Sequence, residues 1–194
     1  MAIGFNLSNK IGGGAEVYVD NVKTAVNEIR LKISNIMPNI LPYKFNRSSA
    51  IVFNNELHIL GSGSDTRNKH CKLNGNSWIE VSTLPYDFYE GSAIVFNNEL
   101  HILGGGGDTR TKHYKLNGNA WIEVSTLPYE FYGGSAVVFN NELHIFGGTQ
   151  PKHYKLNDNS WIEVSTLPYD FIYGSAIVFN NELHILGGNT SGTE

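Results

Sequence analysis

With 194 residues, 16% of them charged and a net charge of −4, the chain suits one ordinary domain or a small domain with an appendage. That balance, against only 14 Lys and Arg, argues against non-specific nucleic-acid binding, and no apolar run approaches the roughly 18 residues of a membrane span. The single cysteine, Cys71, excludes an intrachain disulfide.

Residues 1–14 are polar and small and end in Gly12-Gly13-Gly14, the composition of a flexible arm. The start, Met1-Ala2-Ile3-Gly4-Phe5, lacks the charged and apolar regions of a secretory signal. From Val22 onward, Val22, Val26, Ile29, Ile33 and Ile36 are spaced by 4, 3, 4 and 3. That spacing predicts an amphipathic helix, with Lys23, Asn27, Arg30 and Ser34 off the seam, Asp20 as N-cap and Pro38 as terminator. A second reading stays open, because Glu16–Asp20 and Glu28–Ile33 also alternate as strands do. As a helix, the seam serves attachment or oligomerisation, which sets residues 1–40 apart from a repeat region over 41–194.

Leu41-Pro42-Tyr43 matches Leu84-Pro85-Tyr86 at the end of the next unit, so the chain enters its first repeat as though from a preceding one. Ser49–Gly91, Ser92–Gly134 and Ser135–Gly174 are near copies, and a fourth starts at Ser175 and stops after Gly187-Gly188. Phe53, Phe96, Phe139 and Phe179 fall 43, 43 and 40 residues apart. Each unit reads as four short strands, in the second copy Ser92–Phe96, Glu99–Leu103, Lys112–Leu116 and Trp121–Ser125. Asn97-Asn98 and Asn117-Gly118 supply the hairpin turns between the first two and the last two. A four-stranded unit repeating every 40–43 residues predicts an all-β propeller of three whole blades and a half.

The order Gly104-Gly105, Tyr114, Trp121 resembles the kelch repeat, and the resemblance covers residues 49–188. His101 stands where that family usually has an aromatic, and Ser62 replaces the second glycine in the first copy. The resemblance implies blades of four antiparallel strands packed face to face around an axis, and it implies no reaction. Three and a half blades are fewer than the four to eight that close a propeller. Residues 15–36 adding two outer strands, two chains sharing a ring, and an open array capped by another protein all remain open. Asparagine-rich, nearly identical repeats also resemble kelch proteins of bacteriophage tails and baseplates.

No catalytic residue, cofactor or metal is expected. The seven histidines form two sets, each recurring once per unit by duplication, with no added ligand at metal spacing. Gly104–Gly107 lacks the Lys-Ser/Thr and helix of a phosphate loop. With strands alternating, the second-to-third loop and the crossover to the next unit share one side. That side collects Asp65 and Arg67, Asp108 and Arg110, and the crossover aromatics Phe88, Tyr89, Phe131, Tyr132, Phe171 and Tyr173 as candidate binding residues. Tyr86 and Tyr129 are expected to pack between units.

The reading is a non-enzymatic structural and binding protein, part of a larger particle such as a phage tail, baseplate or fibre. Its partners are other subunits, as a homo-oligomer, with a glycan receptor as a further ligand and neither nucleic acid nor membrane. It resides in the virion or a phage-like particle if the resemblance holds, and in the cytoplasm otherwise. An intracellular kelch adaptor with one protein partner and a glycan-binding surface module are the alternatives.

Overall fold

The computed structural model describes residues 41–107 and 110–188. The helix seam from Val22 to Ile36 and Asp108 lie outside them. The described chain is all-β, in four successive antiparallel sheets. The first holds β1 (Ser49–Phe53), β2 (Glu56–Leu60), β3 (Lys69–Asn74) and β4 (Ser77–Thr83). The second holds β5 (Ser92–Phe96), β6 (Glu99–Leu103), β7 (Lys112–Asn117) and β8 (Ala120–Thr126). The third holds β9 (Ser135–Phe139), β10 (Glu142–Phe146), β11 (Lys152–Asn157) and β12 (Ser160–Thr166). The last has only β13 (Ser175–Phe179) and β14 (Glu182–Leu186). Each is a meander in sequence order, so the described residues make three whole propeller-like blades and one half-blade.

The turns follow from residue chemistry. Asn97 and Asn98 take φ of 52° and 60°, so both central residues are left-handed, as the tight hairpin between β5 and β6 requires. Asparagine tolerates that region where most side chains do not. The second hairpin is displaced by one residue from the sequence expectation. Asn117 pairs with Ala120 inside the ladder, and the turn is Gly118-Asn119, with Gly118 at φ 62°. In the third blade Asp158 occupies that place at φ 54°, so a glycine is not obligatory there.

A β-bulge recurs between the third and fourth strands. Cys71 pairs with Glu80 but His70 with Ser82, leaving Val81 as the extra residue, and the same shift lies between His113 and Tyr114 and between His153 and Tyr154. One inserted residue reverses the alternation of faces. Trp78 and Glu80 therefore share one face with Cys71, while Ser82 moves to the opposite face beside His70. That reversal brings Ser82 to the next blade.

The first strands of successive blades lie side by side. A backbone line ties them at their entrance. Glu90 N donates to Arg47 O at 2.9 Å, Gly133 N to Glu90 O at 2.8 Å, and Tyr173 N to Gly133 O at 2.7 Å. All four residues have positive φ, between 54° and 68°, though only one is glycine.

The two junctions between whole blades are built from the same parts. The preceding blade offers its first hairpin, as with Ile51, Phe53 and Leu60. The crossover adds Leu84, Tyr86 and Phe88, and the following blade receives them on Ala93, Val95, Leu100, Ile102, Leu116 and Trp121. The second junction repeats this with Ile94, Phe96 and Leu103 against Ala136, Val138, Leu143 and Ile145. The double glycine admits the crossover: a Cβ on Gly104 would lie 2.0 Å from the carbonyl oxygen of Phe131, and Gly105 N donates to that same oxygen. In the first blade Ser62 is buried and its hydroxyl donates to Lys44 O at 3.0 Å, tying down the incoming segment by another route.

Candidate functional site

Two groups of side chains merit description, one on the loop side and one inside the blades. On the loop side the crossover aromatics divide by position. Phe88, Phe131 and Phe171 are completely buried, which corrects their expected role as binding residues. Each of these phenylalanines lies between the first glycine of one blade and the second glycine of the next, and against the glycine before the next blade's first strand: a Cβ on Gly134 would come within 2.3 Å of Phe131. Such a ring holds the junction together, and its burial is worth about 1.5–3 kcal/mol.

The crossover tyrosines are less enclosed, Tyr89 and Tyr132 being half-buried. Tyr89 and Tyr132 meet edge to face at 6.3 Å between ring centres, and Tyr132 and Tyr173 meet at the same distance. Tyr173, at the open end, is exposed. Arg67 lies over the Tyr89 ring at 5.5 Å and Arg110 over the Tyr132 ring at 5.0 Å, a geometry in which the guanidinium meets the negative face of the ring. Arg67 also pairs with Asp87 at 3.5 Å and Arg110 with Glu130 at 3.1 Å. The structure therefore joins Arg67, Tyr89, Arg110, Tyr132 and Tyr173 into one line on the loop side. Asp65 is exposed in the same loop as Arg67. Asp87 and Glu130, missed in the sequence, complete the line. Their signal was their place between the crossover Tyr and Phe in each unit. Tyr86 and Tyr129 pack as expected, donating to Gly104 O at 2.9 Å and Gly147 O at 2.6 Å. Burial pushes both phenols well above their ordinary range.

The second group is a polar relay inside each whole blade. His101 Nδ1 meets His113 Nε2 at 2.8 Å, and His113 Nδ1 meets Ser125 Oγ at 2.8 Å. Trp161 Nε1, from the next blade, donates to Ser125 Oγ at 3.1 Å. The first blade repeats the arrangement with His58, His70, Ser82 and Trp121, and the third with His144, His153 and Ser165. One arrangement that satisfies the line has Ser125 Oγ accepting from Trp161 and donating its own hydrogen to His113 Nδ1. His113 Nε2–H then donates to His101 Nδ1, and His101 Nε2 stands 3.9 Å from Glu99 Oε2, beyond hydrogen-bond distance. Both imidazoles are neutral in this scheme. Burial, then the neighbouring His101, then Lys115 hold His113 at about 3, and burial holds His101 at about 4.

This relay is a strut between blades. Its Glu99 carboxylate is engaged by Lys115 Nζ at 2.8 Å. Among the described residues, no three His, Cys, Asp or Glu side chains gather as metal ligands would. The bulge that aims Ser125 at Trp161 left no trace in the sequence, but the twelve-residue spacing from His101 to His113 to Ser125 was visible there.

No protein-family model matches this chain, and no curated protein matches it. Among solved structures it is similar to one described as "Structure of YjhT", with a TM-score of 0.68 and 14% sequence identity over 79% of this chain. The chain spans 65% of the length of that neighbour. At this identity the likeness shows the fold alone: an all-β, propeller-like array of four-stranded blades.

Proposed function

We propose that the chain is a non-enzymatic structural and binding protein, a kelch-type propeller segment that works inside a larger assembly. The observation that carries this reading is that the array ends in a half-blade among the described residues. Val52 at one end and Phe179 and Leu186 at the other are 62%, 63% and 57% exposed, although the equivalent residues of the inner junctions sit in blade-to-blade contacts. Apolar surface of this kind marks a site for a partner. The kelch resemblance, which runs through tail and baseplate proteins of bacteriophages, supports a particle of that type as the setting.

Sedimentation of native material through a density gradient tests the reading. The chain is expected in fast-sedimenting, particle-sized fractions. Recovery only as free chain of 21.5 kDa overturns it.

A second reading concerns the loop side, where the line of three tyrosines and two arginines offers stiff amphipathic contact area to a glycan or protein receptor. A glycan array probed with the wild type and with Tyr132→Ala and Tyr173→Ala checks it. Signals that fall at least tenfold in both variants support recognition there, and unchanged signals remove it.

A further inference from the structure

The two exposed ends of the array are unlike each other but match the two halves of one interface. The hairpin Ser175–Leu186 has the same sequence as Ser92–Leu103, so Ile177, Phe179 and Leu186 present what Ile94, Phe96 and Leu103 present. Those three pack into the following blade. At the other end Ala50, Val52, Leu57 and Ile59 repeat Ala93, Val95, Leu100 and Ile102, which receive the preceding blade; Val52 and Leu57 are exposed, whereas Ile59 is already buried. The first blade also brings its own crossover, Leu41, Tyr43 and Phe45, in the register of Leu84, Tyr86 and Phe88. Between them, the two ends contain the apolar elements of an internal junction, with Cys71 in place of the third-strand tyrosine.

We infer that a second copy of this chain docks head to tail, its β13–β14 hairpin lying on the β1–β2 face of the first as Ser92–Leu103 lies on the third blade. The inference rests on the reading of the chain as part of an assembly and names the partner as the chain itself. The contact is heterologous, so it propagates into a ring if the rotation closes and into a filament if it does not. It buries the inner half of the blade faces. Trp78 marks where it stops. Trp121 and Trp161 donate to a serine on the fourth strand of the preceding blade, whereas Trp78 Nε1 is buried with no acceptor among the described residues. A half-blade has no fourth strand to supply one.

Sedimentation of the full chain, with Phe179→Asp and Val52→Asp variants, tests the docking. Both positions are exposed, and circular dichroism melts establish that each variant is folded. The wild type should give species of at least twice 21.5 kDa, rising with concentration or closed at a fixed multiple. Each variant alone should be a monomer, because one of its two faces is spoiled. Mixing them at equal ratio should restore one junction and give a dimer, since Val52→Asp keeps the hairpin face and Phe179→Asp keeps the receiving face. A wild-type monomer at all concentrations overturns the inference and places the cover within the chain or on another protein. An oligomer lost in Phe179→Asp but kept in Val52→Asp also overturns it, by showing that like faces pair. Monomers that do not combine on mixing overturn it as well. The gradient experiment on native material remains independent: a chain that is monomeric alone yet sediments with a particle defeats the homotypic partner and leaves the assembly reading standing.

Discussion

Two hairpins of identical sequence, Ser92–Leu103 and Ser175–Leu186, end differently: Leu103 is wholly buried and Leu186 is 57% exposed. Their backbones pair in the same register. Local structure is therefore fixed by the hairpin itself, through its Asn-Asn turn and alternating side chains, whereas burial is conferred by the next blade. A repeat of this kind cannot bury its apolar face alone, and stability accumulates at junctions. The terminal hairpin is a junction half without its mate.

Acid is the broadest way to break the comparison, because it acts on the relays of the whole blades. His113 is held at about 3 in the folded chain against 6.5 for a free imidazole, and His70 likewise at about 3. Above about pH 6.5 both states carry neutral rings and the full stability is present. As pH falls from there toward 3, the unfolded chain binds protons that the folded pair refuses, so stability is progressively lost. Urea unfolding at a series of pH values should show this decline, and His113→Gln should make it shallower. A stability that stays level from pH 7 to 4 would contradict the relay.

Truncation of the buried crossover ring is expected to cost nearly as much. Phe131→Ala removes a completely buried ring and should cost about 3–5 kcal/mol. Phe179→Ala, measured at a concentration where the chain is monomeric, should change stability by no more than about 0.5 kcal/mol. Equal losses would mean that the terminal face is already covered.

Glycine sharpens the contrast at the backbone. Gly104 and Gly187 are equivalent and both left-handed, at φ 59° and 73°. A Cβ on Gly104 would strike a carbonyl oxygen, whereas one on Gly187 would meet nothing within 4 Å. Gly187→Ala should cost only the conformational term of about 1–2 kcal/mol, and Gly104→Ala at least about 2 kcal/mol more. Thermal melts of the two variants compare them directly.

The smallest effect concerns the indole donors. Trp121→Phe removes a hydrogen bond to Ser82 and should cost about 0.5–1.5 kcal/mol beyond any change in packing. Trp78→Phe removes a donor with no acceptor among the described residues and should be neutral or slightly stabilising. The difference is read from paired urea curves.

The strands, the asparagine turns and the sharing of one side by loops and crossovers were legible in the sequence, because period-2 alternation and left-handed turn residues are local signals. The half-blade was legible too, from the fourth copy stopping after Gly187-Gly188. Two things were not. Adjacent Phe131 and Tyr132 are both aromatic, and only the close approach of Gly104 and Gly134 decides that the first is interior and the second is half-buried. The bulge at Val124 reverses the faces of β8 without any residue type that announces it, so the partnership of His113 with Ser125 had to be seen.

The most direct test of a junction whose two halves lie at opposite ends of the described array is site-specific cross-linking between chains. Chains carrying Val52→Cys are mixed with chains carrying Phe179→Cys and treated with a short bismaleimide; the native Cys71 is fully buried and burial raises its thiol. The account predicts that the mixed 52–179 product dominates over the 52–52 and 179–179 products. Equal yields of all three, or no interchain product, would contradict it.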